Sequence, residues 1–201
     1  EVRDKHVVVY GSKESIEKLM SRDDDFFEKD TDFASIHNED LTDHNSYFEL
    51  IYGGENRAYN TNLIGDYNVE NIVAAIISSL LIGIPNDQIR SSIRDVYVPG
   101  RLQVYHWKDR TFMIDYAHNY ISMYRLYEMV KKTMKPKSIT VVFGCGGERY
   151  KKRREDMGRL AEQYADKVVL TMEDPGFESC EEICKEIKQY ITKPCYIIVD
   201  R

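Results

Sequence analysis

The sequence predicts an α/β fold: a mostly parallel sheet in the second half, preceded by a smaller α/β piece. Three observations predict it. From residue 111 onward, strand-like segments alternate with helical ones. The segments that follow the expected strands are polar or rich in glycine, as the mouth of a ligand cleft in such a sheet would be. A change of composition and a Pro-Gly step that stops the preceding helix divide the two halves near residue 98.

Residues 5–11, with Val7, Val8 and Val9, read as a strand that ends in a turn. Ser12 is placed to cap a short helix over 13–20, with Glu14 and Glu17 in its early turns. Residues 22–25 read as a charged loop. Short alternating segments follow at 33–37, 47–52 and 57–63, with a hairpin turn at Gly53-Gly54-Glu55-Asn56 between the last two. Residues 68–82 form the strongest helical pattern. Ile72, Val73, Ala74, Ala75, Ile76, Ile77, Leu80 and Leu81 make it apolar on most faces, so it is expected to be buried. Gly83 ends it. Asn68 and Asn71 lie one turn apart at its start, where either one caps the helix or both face a ligand. A second helix is expected near 86–96.

Val98-Pro99-Gly100-Arg101 reads as a domain joint. A hairpin follows, 102–107 and 111–116 around Lys108-Asp109-Arg110. Helices near 121–134, 152–164 and 181–190 then lead to strands at 138–143, 167–171 and 195–199. This order implies helices on both faces of a parallel sheet.

Ile139, Thr140, Val141, Val142 and Phe143 are β-branched or aromatic and run into Gly144, Gly146 and Gly147. A cationic run follows where a helix begins. Cations there oppose the helix macrodipole. Two readings remain open: a solvated basic turn, or an anion held by backbone N–H groups with Arg149, Lys152 or Arg153.

Composition narrows the function. The 201 residues are 42% hydrophobic and 31% charged, enough for a packed core. A net charge of −6 argues against nucleic acid as a partner. No apolar run reaches the ~20 residues of a membrane span, and residues 72–84 are interrupted by Ser78, Ser79 and Gly83. The charged start, residues 1–5, gives no expectation of a signal peptide. The four cysteines, Cys145, Cys180, Cys184 and Cys195, form no C-x-x-C pair. Cys180 and Cys184 share a helical face, but no histidine lies near them, so buried free thiols and a reducing cytoplasmic compartment are expected.

Taken together, the motifs resemble those of the Mur ligases, and within them the branch that adds the third residue of the peptidoglycan stem peptide. The matching residues are Gly65-Asp66-Tyr67-Asn68-Val69-Glu70-Asn71, Pro99-Gly100-Arg101, Asp115-Tyr116-Ala117-His118-Asn119, Phe143-Gly144-Cys145-Gly146-Gly147-Glu148-Arg149, Lys152-Arg153, and Thr171-Met172-Glu173-Asp174-Pro175. The resemblance covers essentially the whole chain. It implies a fragment: residues 1–98 as the last part of a central ATPase domain, and residues 99–201 as most of a C-terminal Rossmann-like domain, cut before its end. No G-x-x-x-x-G-K-[ST] loop occurs in the chain. The resemblance therefore places the triphosphate cradle and the Mg2+ ligands upstream.

The implied reaction activates a carboxylate with ATP as an acyl-phosphate, which an amine then attacks to give an amide. By resemblance, Asn68 and Asn71 would meet the adenine side, Arg101 the phosphates, and Asp115 the ribose hydroxyls. His118 would sit at the nucleotide or the closing interface, or be a structural histidine. Arg149 would hold the carboxylate of the incoming amino acid, with Glu173 and Asp174 near its amino groups or simply ending a strand. The implied partners are UDP-MurNAc-dipeptide and an amino acid, with the enzyme a monomer. Diaminopimelate-adding members carry Asp-Asn-Pro-Arg where this chain has Glu173-Asp174-Pro175-Gly176. Loss of that arginine leaves a distal carboxylate poorly paired, and the added acid favours a distal ammonium, so L-lysine or a similar diamine is the expected substrate. Tyr120 stands where the family usually has proline. Related readings are a folylpolyglutamate- or cyanophycin-type ligase, or a non-catalytic nucleotide or amino-acid binding module. A dinucleotide oxidoreductase is disfavoured, because no G-x-G-x-x-G follows the first strand.

Overall fold

The computed structural model describes residues 7–21, 31–148 and 151–200. The chain divides into two compact units, residues 1–114 and 115–201.

The first unit is built on a four-stranded sheet of β1 (Val7–Ser12), β2 (Thr31–Leu41), β3 (Ser46–Tyr52) and β4 (Glu55–Thr61), in that order. β1 and β2 are parallel, and the α1 helix (Lys13–Met20) lies between them in sequence; the other pairs are antiparallel. Ser12 caps α1 through its hydroxyl, which accepts from the Ser15 N–H. Alternate residues point inward: Ala34 and Ile36 from β2, Phe48 and Leu50 from β3, and Tyr59 from β4 are all buried. They meet the α2 helix (Asp66–Leu81), whose Val69, Ile72, Val73, Ile76 and Ile77 follow the spacing of one helical face. Each of these aliphatic side chains contributes at most about 2 kcal/mol by leaving water, so an acid at Val73 would break the unit. Gly65, at φ 91°, starts the helix, and Gly83, at φ 81°, stops it. The α3 helix (Asn86–Arg94) adds Ile89 and Ile93 to the same core. A hairpin of β5 (Gln103–Trp107) and β6 (Arg110–Ile114) forms a separate two-stranded sheet.

The second unit holds a three-stranded parallel sheet, β7 (Thr140–Phe143), β8 (Lys167–Leu170) and β9 (Cys195–Ile197). The sheet faces α4 (Tyr120–Met129), α5 (Lys152–Tyr164) and α6 (Cys180–Lys188). α4 is continued by a wider π turn over Val130–Met134, which ends at left-handed Lys135. The core comprises Met123, Tyr127, Met157, Leu160, Ala161, Val168, Leu170, Ile183 and Ile187. α5 and α6 cross closely at Gly158, where a Cβ would lie 2.9 Å from the Ile187 carbonyl oxygen.

Two expectations change here. The hairpin of β5 and β6 forms as expected, but β6 does not also join the parallel sheet. The helices also gather on one face: Val141, Phe143, Val168 and Leu170 pack into the core, while Val142 on the other face is 62% exposed and Tyr196 54% exposed. Strand alternation assigned the two faces, but a pattern of four residues carries no information on what covers each face.

Candidate functional site

Two loops at the carboxyl ends of adjacent strands make the candidate site. Residues 144–148 leave β7 and residues 171–179 leave β8. The Thr171 N–H donates to the Phe143 carbonyl at 3.0 Å, and the Gly147 N–H to the Asp174 carbonyl at 2.8 Å. The glycines are required by this approach. A Cβ on Gly144 would overlap the Thr171 carbonyl oxygen, and one on Gly147 the Pro175 carbonyl. Side chains complete the seam. The Glu148 N–H donates to Glu178 Oε1, and the Phe177 N–H returns to Glu148 Oε1 at 3.3 Å. Glu148 adopts left-handed φ 57°, as does Gly176.

The cationic run resolves into distinct roles. Arg153 Nη2 donates to Glu173 Oε2 at 2.6 Å. Arg154 is 2% exposed and forks between Glu186 Oε2 at 2.6 Å and Glu178 Oε2 at 2.9 Å. Burial opposes its charge, but the two carboxylates more than offset this and raise its pKa above the ordinary arginine value. The Glu148 N–H, and then Arg154, hold the Glu178 carboxyl below its usual range. Lys152 pairs along the helix with Asp156 at 3.2 Å and Glu155 at 3.8 Å. Burial pushes the Cys145 thiol up to about 11, so the cysteine inside this loop is a packing residue at neutral pH.

The structure brings Glu173, Asp174 and Gly176 against loop 144–148. Arg149 lies outside the described residues, as do the charged loop at 22–25 and the first residues of the strand expected at 5–11. Asp115 and His118 lie between β6 and α4. Asp115 Oδ1 accepts the Ala117 N–H at 2.8 Å. Nδ1 of His118 meets the Tyr116 carbonyl at 2.9 Å and so carries the proton, and the exposed ring lies edge-on to Tyr116 at 4.9 Å. Asn119 caps α4 in a reciprocal box with Ser122, which makes Tyr120 the first helical residue. That is a position proline favours, and the box closes the turn here without it.

In the other unit, Asn68 is buried and its side-chain N–H donates to the Ile64 carbonyl at 2.9 Å, while Asn71 and Arg101 are exposed. Neither asparagine caps the helix, because Gly65 occupies that position. Sequence reasoning passed over Arg154 and Glu178, since nothing local distinguishes a buried arginine from its neighbours in a charged run.

Residues 100–201 match the family described as Mur ligase, glutamate ligase domain. The chain is 33% identical over 194 residues to the UDP-N-acetylmuramoyl-L-alanyl-D-glutamate–2,6-diaminopimelate ligase of Aquifex aeolicus, covering 96% of this chain and 36% of that protein. It is 36% identical over 147 residues to the UDP-N-acetylmuramoyl-L-alanyl-D-glutamate–L-lysine ligase of Enterococcus faecalis, covering 72% of this chain and 29% of that protein. The fold is also that of the folylpolyglutamate synthase of Thermotoga maritima, with a TM-score of 0.68 at 18% identity over 93% of this chain and 43% of that one. The chain spans about a third of the length of the curated relatives it matches. It belongs to the Mur ligase family.

Proposed function

We propose that this chain is part of an ATP-dependent amino-acid ligase that joins L-lysine, or a similar diamine, to UDP-MurNAc-L-Ala-D-Glu through an acyl-phosphate. Likeness to named ligases along nearly the whole chain supports the reaction class. Residues 1–98 supply the end of the ATPase domain and residues 99–201 the amino-acid domain. The observation that carries the substrate reading is the seam between loops 144–148 and 171–179. There Gly176 stands where a side chain would project, and its Cβ would meet Glu148 Oε2 at 3.1 Å. This corner is acidic, with Glu148 and Asp174, which suits a distal ammonium and repels a distal carboxylate.

Arg149 takes the amino-acid carboxylate, Glu173 and Asp174 the amino groups, and Asn68, Asn71, Arg101 and Asp115 the nucleotide. The Asp115 carboxylate is oriented by the Ala117 N–H and fits a pair of hydroxyls. ATP, when bound, supplies the phosphoryl group that activates the acceptor carboxylate. The chain's own residues orient the amine for attack, a positioning role. By the family resemblance, Mg2+ is assigned to the segment that holds the triphosphate.

A ligation assay on the enzyme containing this chain tests the reading, with UDP-MurNAc-L-Ala-D-Glu, ATP, and lysine or diaminopimelate in turn. Lysine is expected to be used. Preference for diaminopimelate overturns the reading of Gly176, and failure with both overturns the ligase. The isolated 201-residue chain is expected to turn over no ATP.

A further inference from the structure

We propose that Arg154 is a positioning residue for the amino-acid site: its buried guanidinium fixes Glu178, and Glu178 fixes the backbone at Glu148. The inference rests on the reading given above and adds a determinant of amino-acid binding outside the contact residues. Arg154 sits in the first turn of α5, where a cation opposes both burial and the helix dipole. Two carboxylates from different elements compensate, Glu186 of α6 and Glu178 of the 171–179 loop. Glu178 is not consumed by the ion pair. Oε2 takes the guanidinium, and Oε1 takes the Glu148 N–H. Glu148 is held in a left-handed conformation that a residue with a Cβ rarely adopts.

A relay therefore runs from the inside of the unit to the Glu148 peptide at the end of the 144–148 loop. The same loop is seated on Asp174 through Gly147. An arginine is suited to this task because its fork binds two acids at once, whereas a lysine ammonium has no fixed directions.

The test uses the full-length ligase with Glu178→Gln, Arg154→Lys and Arg154→Met. Glu178→Gln is expected to raise KM for the amino acid about tenfold, with KM for ATP unchanged and kcat within about twofold. Amide exchange at Glu148 is expected to accelerate. Arg154→Met should do the same, with Arg154→Lys in between; if Arg154→Met does not fold, Glu178→Gln carries the result. A lower melting temperature with unchanged KM and unchanged Glu148 exchange would overturn the inference and leave Arg154 a stability residue. If the wild-type enzyme ligates no amino acid, the functional reading fails, and exchange at Glu148 still decides the relay.

Discussion

Arg153 Nη2 and Glu173 Oε2 lie 2.6 Å apart, and this pair ties the start of α5 to the loop after β8. Both side chains are partly shielded, at 20% and 36% exposure, so the contact is worth more than a solvated surface pair. On the reading proposed above, Glu173 meets the incoming amine already paired with Arg153, beside the exposed Asp174.

Glu173→Gln keeps the shape and removes the charge. It is expected to cost about 1–2 kcal/mol in chemical denaturation and to raise KM for the amino acid several-fold. A double-mutant cycle with Arg153→Met should return a coupling of about 1–2 kcal/mol. A cycle that closes at zero would show the pair to be incidental.

Gly147→Ala drives a methyl group into the Pro175 carbonyl. Backbone cannot yield as a flexible side chain does, so a loss of about 3 kcal/mol and of ligation is expected. Gly54→Ala is the control. Nothing lies within 4 Å of its Cβ, and only its φ of 76° is at stake, for about 1 kcal/mol. Thermal melts of the two variants should separate in that order.

The depressed Glu178 carboxyl makes stability depend on pH in one direction. Its contribution is fully present above the ordinary carboxylate value of about 4.3 and is lost as pH falls through the lower value it has when folded. The melting-temperature gap between wild type and Glu178→Gln should be constant above about pH 5 and shrink below pH 4. A gap that widens in acid would contradict the arrangement.

Burial raises the Cys145 thiol to about 11 and the Cys184 thiol to about 12. At pH 8 both are expected to resist iodoacetamide in the native protein and to react once it is denatured. Rapid native labelling at either position would mean that the second core opens readily.

Much of this was legible in the residues. The apolar run from Ile72 to Leu81 gave α2, though one face is buried and Leu81 is exposed, and the run from Ile139 to Phe143 followed by glycines gave the strand and the loop after it, because these signals are local. Gly53 and Gly54 marked their hairpin for the same reason. Arg154 was not legible. Its partners lie 24 and 32 residues away, and only folding brings them together. The hairpin arm β6 was legible, but its exclusion from the parallel sheet was not, because a strand can pair with a neighbouring hairpin arm or with a distant parallel edge. The single covered face of the parallel sheet escaped for a related reason: alternation tells inside from outside along a strand, not which helix arrives.

Contact between Gly147 and the Asp174–Pro175 backbone has a mechanical consequence. Displacing either loop alone would break the Gly147–Asp174 bond, so the two loops are expected to shift together.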